Sequence, residues 1–266
     1  MNSIELAKLI REESLKAVHS AGASHIGSAL SIADILAVLY TKVIRHNAAD
    51  EQMYDRDRLI LSKGHACISL YAVLGLKGFF KIEDLQSYAS KDSIFMSHIS
   101  SKVPGVEFST GSLGHGLPFA LGKALALKLN GQNSRVFVIL GDGEMAEGSN
   151  WEALMFAAHN KIENLHIIID RNNLQSLDTV DNTMGIEPLR DKLQAFGLDT
   201  VEINGHDHYV LEESLNRKND KMPLATIAKT VKGKGVSFME NQVAWHYKTP
   251  TKSELETSLK ELSDEK

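Results

Sequence analysis

The sequence predicts an α/β fold in which a mostly parallel sheet carries helices on both faces. Two continuous apolar runs rich in β-branched residues, VFVIL (136–140) and LHIII (165–169), are typical of strands buried on both sides. A helical pattern separates them, with apolar residues at i, i+3, i+4 and i+7 counted from Trp151. Strand, helix and strand within about 35 residues form a βαβ unit, whose strands are parallel.

Three helices and one strand precede this unit. The N-terminal residues MNSIELAKLIREESLK form an amphipathic helix and lack the apolar core of a signal peptide. Ser31 and Asp34 are spaced as a capping box at the start of the helix IADILAVLYTKVI. The run RLIL (58–61) indicates a short buried strand, and the helix ACISLYAVLGL follows it.

Two further helices belong to the centre of the chain. LPFALGKALALKL (117–129) is rich in Ala and Gly, and Asn130 with Gly131 supplies its stop signal. Ser149 and Glu152 form a second capping box, which predicts the start of the helix inside the βαβ unit.

The C-terminal part continues the alternation and then changes character. TVEI (200–203) and ATIAKTV (225–231) are the next two strands. From about residue 232 we expect a long functional loop, followed by a polar helix in SELETSLKELSDEK. Residues 1–266 are therefore predicted to form one domain.

Composition excludes several classes of protein. The 266 residues carry a formal net charge of −5, with 43% hydrophobic and 24% charged residues, which are ordinary globular values. The acidic balance argues against nucleic acid as a partner, and no apolar run approaches the 20 residues of a membrane span. A single cysteine, Cys67, excludes a disulfide framework and fits a reducing, cytoplasmic location.

Polar clusters follow the two central strands, GDG (141–143) after the first and DRNN (170–173) after the second. In parallel sheets, ligands bind beyond the carboxyl ends of the strands. Asp142 offers a carboxylate oxygen and Asn172 an amide oxygen, which are too few to hold a divalent ion alone. They suit Mg²⁺ that keeps water and takes its other oxygens from a bound phosphate or diphosphate. Glycine N–H groups and helix starts would help to hold that anion.

The same residues have a plainer interpretation, because a lone GDG is usually a turn and an Asp at a strand end is usually a cap. An EF-hand is excluded, since the run from Asp170 lacks the third ligand, the sixth-position Gly and the terminal Glu. GDGEMAEG also fails the spacing of the dinucleotide-binding motif, and no Walker motif occurs. The pairing of the two clusters, 30 positions apart from Asp142 to Asn172, is what favours a functional site.

This pairing resembles the thiamine-diphosphate fingerprint, and the words around it, GDGEMAEGSNWEALMFAAH, resemble transketolase. The resemblance extends over nearly the whole chain, through SHIGSALSIADILAVLY, LSKGHACISLYAVL, PGVEFSTGSLGHGLPFALG and KTVKGKGVSFMENQVAWH. The chain resembles the N-terminal, diphosphate-binding subunit of a split two-chain transketolase. The resemblance implies thiamine diphosphate with Mg²⁺ (or Ca²⁺), and transfer of a two-carbon ketol unit from a ketose to an aldose.

The resemblance also implies residue roles around the cofactor. Asp142, Asn172 and the backbone oxygen of Leu174 would ligate the metal ion, which supplies the ligands that the two side chains lack. The N–H of Gly143 would bind the diphosphate.

Three further positions match family residues beside the cofactor. Gly111 and Leu113, in STGSLGHG, would line its middle. Glu147 matches an acidic residue near the subunit interface that is thought to couple paired sites.

Four histidines match the active-site positions of the family: His25, His65, His98 and His246. Neutral imidazole donates and accepts protons near pH 7, which ketol transfer requires at the hydroxyl and aldehyde oxygens. His65 and His246 would also bind the diphosphate, whereas His25 and His98 would contact the C1 hydroxyl and carbonyl oxygens of the donor. The other seven histidines are taken as structural or undecided.

Two other kinds of reactive side chain are expected to be structural. Cys67 lies two residues after His65, but a buried apolar role is favoured over a Cys–His pair. Lys232 and Lys234, in VKGKG, are expected to lie in a solvated loop, with phosphate attraction as the alternative.

No pyrimidine-binding domain accompanies these motifs, and in the family that domain supplies the glutamate that activates the cofactor. The resemblance therefore implies a separate C-terminal subunit, inactivity of this chain alone and an α₂β₂ heterotetramer, with a homodimer as the state of the chain by itself. Sugar phosphates are the expected substrates.

Two departures from the family pattern bear on the substrate. His25-Ile26-Gly27 stands where the family has H-P-G, and His246 is followed by Tyr-Lys-Thr-Pro in place of G-A-P. Both flank the substrate entrance, so a branched, deoxy or sulfo sugar phosphate is expected. Another thiamine-diphosphate enzyme, similar to deoxyxylulose-phosphate synthase or an E1 component, and a catalytically silent binding protein remain as alternatives.

Overall fold

The structure, a computed structural model, describes residues 1–50, 53–219 and 221–264. Within these ranges the strands form one sheet in which every neighbouring pair is parallel. The strands are β1 (Arg58–Leu61), β2 (Val136–Gly141), β3 (Leu165–Arg171), β4 (Asp199–Asn204) and β5 (Leu224–Lys229). Their spatial order is β1-β2-β3-β5-β4. The predicted α/β class is confirmed, and the sheet is entirely parallel.

Helices cover both faces of this sheet. Those in the described ranges are α1 (Ser3–Ala21), α2 (Ile26–Leu30), α3 (Ala33–Val38), α4 (Cys67–Leu76), α5 (Gly116–Leu129), α6 (Gly148–His159), α7 (Val180–Met184), α8 (Leu189–Ala195), α9 (His208–Leu215) and α10 (Lys252–Asp264). Short 3₁₀ turns occur at Gly64–Ala66, Ile82–Ser87, Gly143–Ala146 and Val243–His246, and a π-turn occurs at Leu39–Val43. Among the described helices, none is both long and apolar enough to cross a membrane.

Two separate hydrophobic cores explain why the central strands are continuously apolar. Phe137 and Ile139 point into the core formed with α1, α3 and α4, whereas Val138 and Leu140 point into the core formed with α5 and α6. Successive side chains of a strand alternate between faces, so a strand covered on both sides needs apolar residues at every position.

The strand register places the functional loops at one edge. Gly141, at the end of β2, pairs with Asp170 of β3, which in turn pairs with Ala228 of β5. The segments that follow these strands, together with the one after β1, therefore leave the sheet side by side.

Both predicted capping boxes are wrong. The hydroxyl of Ser31 donates to Ser28 O at 3.0 Å and to Asp170 Oδ2 at 2.7 Å, and Asp34 binds Arg11. The helix α6 starts at Gly148, and Ser149 donates to Gly114 O at 2.7 Å. In both cases tertiary hydrogen bonds take the side chains that the local pattern assigns to a helix end.

The predicted loop after β5 packs back onto the molecule. Trp245 is buried in the first core, and the N–H of Gly233 donates to Gly27 O at 2.9 Å. The predicted C-terminal helix is confirmed as α10, which packs on α1, although its last two positions, 265 and 266, lie outside the described residues.

Candidate functional site

A cavity of about 260 Å³ opens at the carboxyl edge of the sheet, among the loops after β1, β2, β3 and β5. It is lined by nearly all of the site residues that the sequence suggests: His25, His65, His98, Gly111, Leu113, Asp142, Gly143, Asn172, Leu174 and His246. A larger cavity of about 400 Å³ lies at the opposite edge, but its charged side chains are largely paired, as in Lys128–Glu163 and Arg217–Asp199.

Asp142 and Asn172 meet in this cavity because their strands are neighbours in the sheet. The carboxylate of Asp142 accepts the N–H of Gly143 at 2.8 Å and that of Asn173 at 2.5 Å. Asn173 has a left-handed φ of 63°, which asparagine tolerates better than most residues. This turn brings the Asn172 amide next to the Asp142 carboxylate.

The Asn172 amide has a fixed orientation. Its Nδ2 donates to Asp170 Oδ2 at 3.0 Å, and its Oδ1 accepts the N–H of Leu174 at 3.1 Å. A carboxylate can only accept, so the hydrogen bond to Asp170 determines which amide atom is nitrogen. The remaining lone pair of Oδ1 is available to a ligand in the cavity.

The two buried aspartates differ in electrostatic environment. Burial and the neighbouring Asp170 raise the pKa of Asp142 to about 6. Burial also acts to raise the pKa of Asp170, but the ammonium group of Lys63, which bonds to it, holds that pKa below its usual value. Asp142 is thus a carboxylate whose negative charge is incompletely balanced, and a cation beside it would relieve this.

The donor set fits a hard divalent cation that shares oxygens with a phosphate. Asp142, Asn172 and backbone carbonyls supply only oxygen, as Mg²⁺ and Ca²⁺ prefer. The described part of the chain contains no group of three or more His, Cys, Asp or Glu side chains suited to a metal. A cation here would therefore complete its coordination with water and ligand oxygens.

Lys232 is the functional candidate that the sequence interpretation misses, because it is buried in the cavity wall and not solvated. Only 1% of Lys232 is exposed, and its Nζ lies 2.9 Å from Gln175 O and 3.2 Å from His246 Nδ1. Burial and the nearby Lys63 lower its pKa to about 8. A buried ammonium with carbonyl and imidazole neighbours is suited to bind an anion.

Four imidazoles surround the outer part of the cavity. The ring centroid of His25 lies 5.4 Å from that of His65, 5.5 Å from that of His98 and 5.0 Å from that of His246. Burial lowers the pKa of His25 to about 4 and that of His246 to about 3, with further lowering from nearby charges, including Lys232. Burial also holds the pKa of His65 well below its usual value. At pH 7 these three rings are neutral and can either donate or accept a proton.

His25 occupies a strained backbone position. Its φ is 72°, in the left-handed region, where a residue with a Cβ costs about 1–2 kcal/mol. Its N–H donates to His246 O at 2.8 Å, so the two segments that carry these rings are joined directly. Strain of this kind often accompanies functional side chains.

The two glycine-containing segments provide the open part of the wall. Gly111 lies beside the His98 ring, where a Cβ would be 3.6 Å from the nearest ring atom. A Cβ on Gly143 would come within 2.8 Å of the Gln175 side chain, so only glycine leaves this position open. Leu113 adds an apolar contact between them.

Glu147 is the predicted residue that does not line the cavity, since it is exposed immediately before α6. The buried acid at the cavity is Glu144, which accepts from Ser62 and from the N–H of Gly114 at 2.9 Å. Cys67 is fully buried, and burial raises its pKa to about 12, which favours the apolar interpretation over a nucleophile.

Comparison with known proteins agrees with this geometry. The family model "Transketolase, thiamine diphosphate binding domain" matches residues 3–262. One of the two apulose-4-phosphate transketolase chains of Actinobacillus succinogenes is 40% identical over 250 residues, which are 93% of this chain and 90% of that protein. The 6-deoxy-6-sulfo-D-fructose transketolase subunit SqwG of a Clostridium species is 36% identical over 262 residues, 97% of this chain and 95% of that protein.

Solved structures show the same relation. Transketolase from Campylobacter jejuni superimposes with a TM-score of 0.92 at 31% identity, over 99% of this chain and 43% of that one. This chain therefore matches nearly the full length of the relatives that are named as subunits, and less than half of that single-chain transketolase.

Proposed function

This chain belongs to the transketolase family, as its thiamine-diphosphate-binding domain, and from that premise we propose that it is the diphosphate-binding subunit of a two-chain enzyme. The two-chain enzyme would transfer a two-carbon ketol unit from a ketose to an aldose. The observation that carries the proposal is one cavity containing Asp142, Asn172 and the buried Lys232 beside four imidazole rings. A metal-bound diphosphate needs the first three groups, and proton transfer to sugar oxygens needs the rings.

The polar wall of the cavity would hold the cofactor. Asp142, Asn172 and the backbone oxygen of Leu174 would bind Mg²⁺ (or Ca²⁺), because they supply three oxygens at one point of the wall. The N–H of Gly143 and the ammonium of Lys232 would bind the diphosphate. Bound thiamine diphosphate supplies the carbanion that ketol transfer requires.

The remaining wall residues have roles further from the metal. Gly111 and Leu113 would line the middle of the cofactor. His65 and His246 would hydrogen-bond the diphosphate, whose negative charge would raise their lowered pKa values. Glu147, exposed next to α6, would lie at the subunit interface.

His25 and His98 would act on the donor sugar. Because its pKa lies at about 4, His25 is neutral at pH 7 and can accept a hydrogen bond or proton from a hydroxyl oxygen. The two rings lie 5.5 Å apart, so one sugar carbon with its oxygen could contact both. This places the C1 hydroxyl and the carbonyl oxygen of the donor between them.

The rim of the cavity supports a partner subunit. Leu177 is 80% exposed, Tyr247 59% and Met96 55%, and each is in or within two residues of a cavity-lining segment. Exposed apolar residues gathered at the mouth of a site are typical of an interface. The partner would bring the pyrimidine-binding domain, and two copies of each chain would give a heterotetramer.

The substrates would be sugar phosphates of an uncommon kind. Two relatives that align over 90% or more of their length are named for apulose 4-phosphate and 6-deoxy-6-sulfo-D-fructose. Ile26 and Tyr247, which follow His25 and His246, differ from the usual family pattern at the entrance. Donor and acceptor screens should therefore begin with these two sugars.

The test combines this chain with its partner subunit. We expect ketol transfer from a ketose phosphate, and titration of thiamine diphosphate should show binding that requires Mg²⁺. Asp142→Ala should abolish both, whereas Asp84→Ala, which removes an exposed acid far from the cavity, should change neither. Consumption of pyruvate without ketol transfer, or undiminished binding in Asp142→Ala, would contradict the proposal.

A further inference from the structure

A chain of buried polar groups connects the helices of the first core to the loop that carries Lys232. Arg11 of α1 donates to Asp34 of α3 through both terminal nitrogens, at 3.1 and 2.5 Å. Asp34 Oδ2 lies 2.6 Å from His206 Nδ1, in the segment after β4. The other ring nitrogen of His206 lies 2.8 Å from the backbone nitrogen of Val231, the residue before Lys232.

The direction of each hydrogen bond in this chain is determined. A backbone N–H can only donate, so Nε2 of His206 carries no proton and accepts from Val231. Burial acts to raise the pKa of Asp34, but Arg11 and hydrogen bonds from His206 and His208 hold it well below its usual value, so the carboxylate is ionised. The proton of the neutral imidazole therefore lies on Nδ1 and points at Asp34.

The loop has one such contact at almost every position around Lys232. The N–H of Thr230 donates to Arg171 O at 3.1 Å, the carbonyl of Lys232 accepts from Asn241 at 2.9 Å, and the N–H of Gly233 donates to Gly27 O at 2.9 Å. The peptide that enters Lys232 is held by His206. Gly27 packs so closely on Lys232 that a Cβ there would be 3.3 Å from Lys232 Cγ, so a small backbone shift would displace the ammonium.

We propose that His206 is a positioning residue for the anion site, which holds the Val231–Lys232 peptide and thereby aims the Lys232 ammonium into the cavity. The proposal rests on the proposed function, in which Lys232 binds the diphosphate. His206 does not line the cavity itself, so it acts only through the loop.

His208 provides a control inside the same network. Its Nε2 lies 3.1 Å from Asp34 Oδ1, but its Nδ1 bonds to Ser3 Oγ at 2.8 Å and not to the loop. The two side chains are similarly exposed, 14% for His206 and 16% for His208. A purely structural role of the Asp34 cluster would make the two histidines equivalent.

Two substitutions separate the two hydrogen bonds of His206. The Nδ2 of asparagine overlays the Nδ1 of histidine, so His206→Asn keeps the bond to Asp34 and loses the one to Val231. The Oε1 of glutamine reaches the position of Nε2, so His206→Gln keeps the bond to Val231. The experiment titrates thiamine diphosphate, at fixed Mg²⁺, into the complex of each variant with the partner subunit.

We expect His206→Asn to weaken the affinity for thiamine diphosphate about tenfold, which is the usual upper effect of one lost hydrogen bond. His206→Gln and His208→Leu should remain within about threefold of the unsubstituted complex, since neither loses the bond to Val231. Without cofactor, amide exchange at Val231 and Lys232 should accelerate in His206→Asn and not in His208→Leu. Thermal unfolding of each variant shows whether the fold is retained.

A double substitution tests the route through Lys232. In a Lys232→Met background, His206→Asn should cause no additional loss of affinity. The inference is overturned if that loss persists, if His206→Gln is weaker than His206→Asn, or if His208→Leu weakens binding as much as His206→Asn. Absence of binding by the unsubstituted complex would instead refute the proposed function, and the inference with it.

Discussion

The candidate site places several charges in a small buried volume, and Lys232 shows how this serves binding. Its ammonium is buried with the Lys63 ammonium nearby, and burial and Lys63 both lower its pKa. Two buried cations are unfavourable without anions, and the carboxylates of Asp142 and Asp170 offset only part of that cost. A diphosphate with its metal ion would balance the rest.

Substitution of Lys232 should therefore affect the anion and little else. Lys232→Met keeps the apolar stem and removes the charge, so we expect the affinity for thiamine diphosphate to fall about 10- to 100-fold, as for a charged hydrogen bond. Lys234→Met is the matched control, since Lys234 lies in the same loop but pairs with Glu240 at 3.3 Å. Calorimetric titration measures both, and equal losses would indicate that the loop and not the ammonium matters.

Residues differ in how well their roles could be predicted from sequence. Asp142 and Asn172 are predictable because each directly follows a recognisable strand, and parallel strands end together. Lys232 is not, because its burial depends on Gly27 and Gln175, which are distant in the chain. His206 could not be assigned for the same reason, since its partner Asp34 lies 172 positions away.

At the level of elements, apolar periodicity predicts the strands and the long helices, whereas end signals are less reliable. Ser31 and Ser149 have the local spacing of caps, but a hydroxyl next to an unpaired group in a neighbouring element makes that hydrogen bond instead. The short helices α7, α8 and α9 carry too few apolar residues to reveal a period, and they form because the sheet edge offers them a surface.

Two glycines of α5 should respond oppositely to alanine. A Cβ on Gly116 would lie 2.4–2.6 Å from Ser62 atoms, one of them the backbone Cα, so Gly116→Ala should destabilise the protein by about 1–3 kcal/mol. Gly122 has nothing within 4 Å of the same position and is exposed, so Gly122→Ala should stabilise it by about 0.5–1 kcal/mol. Urea unfolding compares the two, and changes of the same sign would contradict this packing.

For the whole molecule, the buried Asp34 cluster makes a distinct contribution to acid stability. The pKa of Asp34 is held well below its usual 3.8, so its carboxylate stabilises the fold above about pH 4, and this contribution is lost as the pH falls through the lower, folded-state pKa. Asp34→Asn leaves Arg11 buried without its partner and should cost about 3–5 kcal/mol at pH 7.

The difference between Asp34→Asn and the unsubstituted protein should then shrink as the pH is lowered below about 4, because the carboxylate becomes protonated in the latter. Other buried acids affect both proteins and cancel in the difference. Urea unfolding from pH 7 to pH 3 measures it, and a difference that stays constant over this range would show that the charge of Asp34 is not responsible.

The exposed apolar rim connects the fold to assembly, and two leucines distinguish this role from general hydrophobicity. Leu177 is 80% exposed and follows the cavity-lining Ser176, whereas Leu129 is 77% exposed at the end of α5. That end of the helix lies at the opposite edge of the sheet, where the Lys128 ammonium bonds to Lys161 O at 2.6 Å, shortly before β3. A partner that completes the active site must cover the first leucine and has no reason to contact the second.

Charge placed at the two leucines should therefore have different effects on assembly. We expect Leu177→Glu to weaken association with the partner chain by about tenfold or more, since it buries a charge in an apolar contact. Leu129→Glu places the same charge on an equally exposed leucine away from the cavity, so it should leave association unchanged. Sedimentation of the mixed subunits measures both constants, and an intact complex with Leu177→Glu would place the partner elsewhere on the surface.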